Sequence, residues 1–352
     1  MITVLSVAYP FAPVREDTPG GAEQVLLAID SEIVNRNHKS IVIAHQDSKV
    51  KGKHIEIPKV NATIRQSEKS EIYYKVNELI KFSIEKYSPD IIHYHGLDFY
   101  DYHVDCSIPS IVTLHLPLEL YNIEKLNQCK ASFNCVSYYQ HQRAVSVINR
   151  LITYIQNGTQ IPDKINRKEN PKYVFCSGRV CPEKGYHLAI EAAKMAEVPL
   201  IFAGEVFNYP EHITYFETKI KPCLDSLNYR FIGKIGLLQK EYLYDNALCV
   251  LIPSLIDETS SLVAMEALAH GTPVIAFKRG ALSEIIIDGV NGFLVQNVNE
   301  MAEAVQNVGK LSSEVCFKIA REKYDQRIMV KKYLNSYFKL ICDNSQNELT
   351  NK

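Results

Sequence analysis

Two cations in the second half of the chain have the residue types and spacing that diphosphate chemistry would need. Arg179 and Lys184 lie in one short segment, residues 178–185, between an apolar run and a helical pattern. A guanidinium, an ammonium and the free backbone amides of a helix start suit a diphosphate. A solvated loop with incidental charges would have the same composition, so both interpretations stay open on this segment alone.

Two carboxylates follow a later apolar run that ends at Pro253. Glu258 lies in an acidic, hydroxyl-rich segment, and Glu266 lies within the apolar helical pattern that begins near Ser260. Thr259 and Ser260 are good helix N-caps, so Glu258 could be only a favourable charge at the helix start. Glu266 is harder to explain structurally, because burying a carboxylate is costly without a hydrogen-bonding partner such as a sugar hydroxyl.

The first half of the chain contains paired glycines and two histidines at the ends of apolar runs. Gly20 and Gly21 open a helical pattern, where they would let the backbone approach a ligand, although a simple turn also explains them. His95 and His115 each follow a β-branched run, and we expect His95 to line an acceptor site. His93 and His95 share one face of a strand, but no third ligand is evident, so we predict no metal there.

Several motifs that would indicate other chemistry are absent from the sequence. It contains no G-x-G-x-x-G after a strand, no P-loop, no G-x-S-x-G and no D-x-D. A dinucleotide fingerprint, a phosphate-binding P-loop and a hydrolase nucleophile are therefore excluded. The nine cysteines include no C-x-x-C pair, and neither of the closest pairs, Cys129/Cys135 and Cys176/Cys181, has a matching His/Cys partner pair for zinc. We expect free thiols in a reducing cytoplasm.

The elements that must position these residues alternate between short apolar strands and helical patterns. Near-continuous apolar strands are typical of parallel sheets that helices cover on both faces, so we predict two doubly wound α/β domains. The predicted strands are residues 2–8, 40–44, 91–94, 110–114, 132–136 and 152–155, then 173–176, 200–203, 230–232, 249–252 and 274–277. The predicted helices include residues 22–36, 71–86, 186–196, 238–248, 261–269 and 312–340.

A polar, proline-bounded segment divides the two predicted domains. We assign residues 1–163 to the first domain, 164–172 to a linker, 173–325 to the second domain, and 326–352 to a terminal helix that packs back on the first domain. Ligands of such sheets bind beyond the carboxyl ends of the strands. The candidate residues all lie in segments that follow predicted strands, which is where chemistry is expected.

Composition restricts the possible partners. The 352 residues are 46% hydrophobic and 22% charged, with a net charge of −1, which excludes a disordered or fibrous chain and makes nucleic acid a poor partner. No apolar run is long enough to span a bilayer, and the N-terminus is typical of a buried strand rather than a signal peptide. The charges of helix 71–86 nearly cancel, which predicts at most weak peripheral contact with a membrane.

These motifs together resemble the family-4 retaining glycosyltransferases of the GT-B fold. That family shows a Gly-Gly loop after its first strand, a G-R-x-x-x-x-K-G loop at the start of its second domain, and an E-x7-E motif followed by A-x-A-x-G-x-P-V. The sequence contains them in this order at Gly20-Gly21, at residues 178–185 and at residues 258–274. The likeness covers about residues 1–310. It implies two Rossmann-like domains that face a cleft.

The resemblance also implies roles for individual residues. Arg179 and Lys184 would hold the donor diphosphate, Glu266 would bind the nucleotide ribose, and Glu258 would contact the donor sugar. The remaining implied contacts come from the Ser261 and Leu262 amides to the phosphates, from Gly20 and Gly21 over phosphate and sugar, and from His115 to the donor sugar or attacking hydroxyl. Where the family commonly has Gly-Phe-Gly after the first glutamate, this sequence has Thr259-Ser260-Ser261, so its sugar preference stays open.

The resulting prediction is a retaining hexosyltransferase that moves a sugar from a UDP-linked donor to the hydroxyl of a saccharide or other acceptor. No cofactor and no metal are expected, because Arg179 and Lys184 would stabilise the leaving diphosphate. Two alternatives remain. One is a sugar-nucleotide epimerase or phosphorylase of the same architecture, and the other is a non-catalytic sugar-nucleotide binding protein.

Overall fold

A computed structural model describes residues 1–18, 20–59, 66–168, 170–225 and 227–350, with the side chains of residues 66–67 and 347–350 excepted. The chain divides into two compact units. The first comprises Met1–Asn157 together with Arg327–Lys352, and the second comprises Gly158–Gln326. Each unit is an α/β structure built around its own parallel sheet.

In its described part, the first unit contains a parallel sheet of seven strands in the order β3-β2-β1-β4-β5-β6-β7. The strands are β1 (Thr3–Val7), β2 (Lys39–His45), β3 (Lys53–Ile57), β4 (Ile91–Tyr94), β5 (Ser110–Leu114), β6 (Ser132–Cys135) and β7 (Ile152–Tyr154). The helices are α1 (Gly21–Asn35), α2 (Gln66–Tyr87), α3 (Ile123–Gln128), α4 (Tyr138–Ala144) and, from the end of the chain, α12 (Gln326–Thr350).

Helices cover both faces of this sheet, as its apolar strands require. On one face, α2 places Ile72, Val76 and Ile80 in a core with Ile92 and Val112. On the other face, α1 and α12 pack together against the sheet. Their shared core comprises Ile2, Val4, Val25, Ile29, Ile33, Ile91, Ile111, Met329, Val330, Tyr333, Leu334 and Tyr337. Alternate strand residues therefore point to opposite helical layers, which is the pattern of a doubly wound sheet.

The second unit repeats this plan, with a described sheet of six parallel strands in the order β10-β9-β8-β11-β12-β13. The strands are β8 (Tyr173–Ser177), β9 (Leu200–Ala203), β10 (Tyr229–Phe231), β11 (Ala247–Ile252), β12 (Val274–Phe277) and β13 (Gly292–Val295). The helices are α5 (Tyr186–Met195), α6 (Pro210–Tyr215), α7 (Leu237–Asn246), α8 (Leu262–Ala269), α9 (Leu282–Ile285), α10 (Val298–Asn307) and α11 (Ser313–Lys323).

In both units the strand order reverses beside the first strand, between β1 and β4 and between β8 and β11. A crevice at the carboxyl ends of the strands opens at such a switch point, and this is where open α/β sheets bind ligands. The predicted glycine pair follows β1, and His95 follows β4. The predicted cations follow β8, and the predicted glutamates follow β11. Each unit thus presents its candidate residues at its own switch point.

The strand predictions are confirmed for eleven strands of the described sheets, but two strands were missed. β3 is an edge strand with partly exposed alternate residues, so its sequence KHIEI lacks the apolar run of a buried strand. β13 is also an edge strand, and it begins with Gly292, which leaves it an apolar run of only three residues. Edge strands bury less apolar surface than central strands do, so apolar runs alone do not predict them.

The predicted linker, residues 164–172, lies in the second unit rather than between two units. Arg167 donates hydrogen bonds to Thr272 Oγ1 at 2.7 Å and to the Leu248 carbonyl at 2.8 Å. The Lys168 amide also donates to the Asp245 carbonyl. These bonds hold the polar segment against the second unit. The segment therefore belongs to this unit, which begins at Gly158. Glu169, within the predicted linker, lies outside the described residues.

Within the described ranges, every helix is too short or too polar to cross a lipid bilayer.

Candidate active site

The loop after β8, residues 178–185, is termed the donor loop and carries both predicted cations. A single turn of 3-10 helix, Pro182–Lys184, closes it, and Gly185 then starts α5 in the left-handed conformation, with φ of 65°. A side chain at Gly185 would collide with the carbonyl oxygen of Pro253, the residue after β11. Glycine therefore lets the donor loop lie directly against the end of the neighbouring strand.

Within the donor loop, Lys184 and Arg179 differ in their surroundings. Lys184 Nζ donates to Glu258 Oε1 at 2.6 Å, and only 22% of the lysine side chain and 10% of the glutamate side chain are exposed. Arg179 is half-buried, and its guanidinium has no hydrogen bond or ion pair with the residues described. One cation of the loop is therefore compensated, while the other keeps its donors available for an anion.

A second loop fixes the backbone at Glu258. The Glu258 carbonyl accepts a hydrogen bond from the Ala281 amide at 2.8 Å. Gly280 has a φ of 55°, and a Cβ at this position would lie 2.6 Å from the Glu258 amide nitrogen. The turn after β12 thus packs backbone against backbone on the loop after β11. The Glu258 carboxylate is held at the switch point from both sides, by this turn and by Lys184.

Glu266 lies one turn into α8 and is held by two donors from α7. Lys240 Nζ donates to Glu266 Oε1 at 2.7 Å, and the Tyr244 hydroxyl donates to Oε2 at 2.8 Å. Burial, followed by the nearby Glu266 charge, raises the pKa of Tyr244 well above its usual value, so the hydroxyl stays protonated. The carboxylate, 13% exposed, therefore has a fixed orientation and keeps lone pairs for a further donor.

The start of α8 provides the predicted amide donors. Ser261 is the N-cap residue, and its hydroxyl accepts a hydrogen bond from the Ala264 amide at 3.3 Å. Its own amide and that of Leu262 precede the first internal hydrogen bond of the helix, so they carry the partial positive charge of a helix start. Ser260 Oγ is buried beside them without a hydrogen-bond partner among the described residues.

In the first unit, Gly20 and Gly21 lie at the start of α1, beyond the carboxyl end of β1. Gly20 is the N-cap residue, and Gly21 is the first residue of the helix. The Glu23 side chain folds back over Gly20 so closely that a Cβ there would collide with Glu23 Oε2. This helix start therefore already has a carboxylate, which suits sugar hydroxyls better than a phosphate.

His95 and His115 are brought together at the ends of β4 and β5. His95 Nδ1 and His115 Nε2 lie 3.1 Å apart, and the rings stack with centroids 5.3 Å apart. Burial lowers the pKa of His115 to about 3 and, with nearby His93 and His115, lowers the pKa of His95 well below its usual value. Both rings are therefore neutral near pH 7. His95 Nε2 is buried without a partner among the described residues.

His93 has a structural role instead. Its Nδ1 lies 2.6 Å from the Tyr337 hydroxyl of α12, and its Nε2 lies 2.8 Å from Thr113 Oγ1. Tyr333 also contacts Thr113 Oγ1, at 3.1 Å. The histidine ring therefore links the terminal helix to the sheet and has both nitrogens occupied.

A family model described as glycosyl transferases group 1 matches residues 158–326. These are the residues of the second unit, from Gly158 to Gln326. The second unit is therefore similar to the group 1 glycosyl transferases over its whole length. The donor loop and both glutamates thus lie within the part of the chain that this family model matches.

Curated relatives match the chain over part of its length. The lipopolysaccharide 1,2-N-acetylglucosaminetransferase of Salmonella typhimurium is 27% identical over 150 residues, which are 40% of this chain and 39% of that protein. An uncharacterized glycosyltransferase of Methanocaldococcus jannaschii is 26% identical over 253 residues, 66% of this chain and 68% of that protein. The chain thus matches less than two thirds of the Salmonella enzyme.

Solved structures match nearly the whole chain in fold. The Anabaena protein HepE in complex with UDP and glucose has a TM-score of 0.75 at 18% identity, covering 96% of this chain and 99% of that chain. Sucrose-phosphate synthase from Thermosynechococcus elongatus has a TM-score of 0.77 at 17% identity, covering 97% and 100%. The predicted GT-B type of fold, with two Rossmann-like sheets, is confirmed.

Three side chains of the candidate site were not predicted from the sequence. Lys240 and Tyr244 are four residues apart on α7, so they share one helix face, and this spacing was a usable signal. Glu23 lies in the first turn of α1. Acidic residues are common at this position of a helix, so its type and place do not indicate a ligand site. The partners of Lys240 and Tyr244 lie on another helix, which no local pattern reveals.

Proposed function

We propose that this protein transfers a hexose from a nucleoside-diphosphate sugar to an acceptor hydroxyl, with retention of anomeric configuration and without a divalent cation in the reaction. The observation that carries the proposal is the Lys184–Glu258 ion pair, with Arg179 in the same loop, at the switch point of the unit that the group 1 glycosyl transferase model matches. Retention is proposed from the resemblance of the motifs to family-4 enzymes.

The cations act on the leaving group. Transfer breaks the bond between the anomeric carbon and the diphosphate oxygen, which departs with the electron pair, and forms a bond to the acceptor oxygen. The hydroxyl proton leaves with the diphosphate. Arg179 and Lys184 stabilise the developing negative charge, and the Ser261 and Leu262 amides add dipoles of the same sign. This arrangement supplies the positive charge that a metal ion would otherwise bring.

The two glutamates bind different parts of the donor. Glu266, oriented by Lys240 and Tyr244, accepts hydrogen bonds from the ribose hydroxyls. Glu258 keeps one carboxylate oxygen on Lys184 and offers the other to hydroxyls of the donor sugar. We propose a UDP-linked donor, since HepE of the same fold was solved with UDP and glucose.

The first unit binds the acceptor. Gly20, Gly21 and the Glu23 carboxylate line a surface for hydroxyl groups, and the neutral His95–His115 pair hydrogen-bonds uncharged sugar hydroxyls. We assign His115 to the attacking hydroxyl. A saccharide or another hydroxyl compound would fit this site, because both rings stay uncharged near neutral pH.

The test is transfer from a panel of nucleoside-diphosphate sugars to saccharide acceptors by the full-length protein. We expect one donor, UDP-linked, to yield free nucleoside diphosphate and a glycosylated product whose anomeric proton coupling shows retention. A sugar epimer formed without acceptor would indicate the epimerase instead. Donor binding without turnover across all acceptors would indicate a binding protein.

We also propose a cytoplasmic location. All nine cysteines are free thiols, which is the usual state in reducing compartments. Weak peripheral membrane contact through α2 stays a prediction. Lys81 and Glu78 of this helix pair at 3.0 Å, so part of its positive charge is compensated within the helix itself.

A further inference from the structure

Cys181, Glu183 and His212 of the second unit form a cluster that the proposed transfer does not use. One ligand atom from each, the thiol sulfur, a carboxylate oxygen and a ring nitrogen, lies within 4.8 Å of the other two. Cys181 and Glu183 belong to the donor loop, while His212 comes from α6. Cys181 and His212 are buried, and Glu183 is half-buried.

The histidine ring carries an unused ligand atom. His212 is 8% exposed, and its Nδ1 is buried without a hydrogen-bond partner among the described residues. Phe207 stacks on the ring at 6.2 Å between centroids, and Tyr209 meets it edge-on at 5.1 Å. A buried nitrogen without a partner is costly, and aromatic rings exclude water from this side. A cation bound at this nitrogen would satisfy it.

We propose that Cys181, Glu183 and His212 form a zinc-type metal site that joins the donor loop to α6. A thiolate, an imidazole and a carboxylate are the ligand types that Zn²⁺ accepts, and a water molecule would complete a tetrahedron. Mg²⁺ and Ca²⁺ prefer oxygen ligands, so the thiolate selects against them. Tetrahedral ligand atoms lie ~3.3–3.8 Å apart, so small side-chain movements would complete the site.

The backbone of the donor loop is already ordered around this cluster. The Val180 amide donates to the Glu205 carbonyl at 2.9 Å, and the Leu255 amide donates to the Glu183 carbonyl at 2.8 Å. A metal ion would therefore find two of its ligands in a preformed loop and need little reorganisation. Cys181 and Glu183 lie between Arg179 and Lys184 in the loop, so the metal would also restrict the two cations that flank it.

Metal binding must displace a proton from the thiol. Burial, together with the hydrogen bond to Glu183 and its charge, raises the pKa of Cys181 to about 12. The metal-free site is therefore a neutral thiol beside a carboxylate. Zinc uptake releases the thiol proton, and its affinity rises with pH.

The proposal does not depend on sugar transfer, so its test uses the metal-free full-length protein without donor. Zn²⁺ is titrated calorimetrically with a non-thiol reductant, and Co²⁺ serves as a spectroscopic probe. We expect one equivalent of Zn²⁺ to bind, a higher melting temperature, and a thiolate-to-cobalt charge-transfer band. Mg²⁺ should produce none of these effects.

Three variants locate the site. Cys181→Ser and His212→Gln should each lower zinc affinity more than roughly tenfold and abolish or alter the cobalt band. Glu183→Gln is the variant least prone to misfold, because this side chain is half-buried, and it should weaken zinc binding similarly. Cys223→Ser removes a half-buried thiol of the same unit outside the cluster, and it should bind zinc as the wild type does.

Several results would overturn the proposal. One is wild-type protein that takes up no stoichiometric zinc. Another is a set of cluster variants that bind zinc as tightly as the wild type does. The third is a loss of zinc affinity in Cys223→Ser equal to that in the cluster variants. The melting curve of each metal-free variant shows whether it is folded. If His212→Gln does not fold, the Glu183→Gln and Cys181→Ser titrations decide the question.

Discussion

Lys184 Nζ and Glu258 Oε1 form an ion pair of 2.6 Å although 74 residues separate them in the sequence. The pair joins the loop after β8 to the loop after β11, on the two strands that flank the switch point. Lys184 is therefore oriented before any donor binds, and an ammonium has two further protons to donate. In the proposed reaction, Glu258 would therefore affect the diphosphate through Lys184 as well as contact the donor sugar.

The first prediction concerns the two cations of the donor loop. Arg179→Ala or Lys184→Ala should lower kcat by about 100- to 1000-fold, the scale for loss of one preorganised donor to a developing anion. Steady-state kinetics with a saturating donor measure the change. Lys318→Ala removes an exposed lysine of the same unit and should retain wild-type kcat. Wild-type turnover in both loop variants would contradict the assignment.

The second prediction separates the two glutamates. Glu266→Gln should weaken binding of free nucleoside diphosphate, because the ribose loses a charged acceptor. Glu258→Gln should preserve or strengthen that binding, since Lys184 loses its competing partner, yet it should reduce transfer. Calorimetric titration with the diphosphate, beside transfer rates, measures both effects. If Glu258→Gln loses diphosphate affinity as severely as Glu266→Gln, the division of roles is wrong.

The third prediction concerns the side chains that orient Glu266. Lys240→Met and Tyr244→Phe each remove one donor to the carboxylate, so the donor KM should rise about tenfold, while kcat changes less than about twofold. Tyr242→Phe alters an exposed tyrosine of the same helix and serves as the matched control. A fall in kcat without a change in KM would show that α7 does not act through nucleotide binding.

The fourth prediction is that Mg²⁺ and Mn²⁺ are dispensable for transfer. After dialysis against EDTA, the enzyme should turn over equally fast with and without added Mg²⁺, because Arg179 and Lys184 supply the positive charge. Comparing identical metal-stripped samples keeps any zinc bound elsewhere constant between the two arms. Activity that appears only when Mg²⁺ or Mn²⁺ is restored would refute the prediction.

The fifth prediction is a loss of stability in mild acid. His115 is buried with a pKa of about 3, below its usual value of 6.5, so the unfolded chain binds the proton more readily. The stabilisation is complete above about pH 6.5 and is lost as the pH falls from there toward 3. The loss is up to about 1.4 kcal/mol per pH unit for this histidine.

Urea unfolding of the full-length protein between pH 5 and 7.5 measures this dependence. His115→Gln should flatten the slope of unfolding free energy against pH, because one protonation site disappears. Val112→Ala removes buried volume from the same strand without changing a titratable group, so it should lower stability at every pH and keep the wild-type slope. An unchanged slope in His115→Gln would show that this ring is not the source.

Much of the site could be predicted residue by residue. The donor-loop cations, both glutamates and the paired glycines all lie where the motifs suggested, because each belongs to a short local pattern after a strand. Their partners could not be predicted in the same way. Lys240 of α7 donates to Glu266 of α8, and His212 of α6 lies close to Cys181 of the donor loop. Both pairs join distant parts of the sequence, so no local spacing predicts them.

The sequence by itself determined the succession of buried strands and helices and therefore the class of fold. Apolar runs and helical periodicity are local properties, and burying them against each other leaves few arrangements. Only the tertiary structure decided which loops meet. The strand order places β8 beside β11 and β4 beside β5, so that Lys184 contacts Glu258 and His95 contacts His115. Such contacts depend on how the chain crosses between strands, and the charge and protonation of each site follow from them.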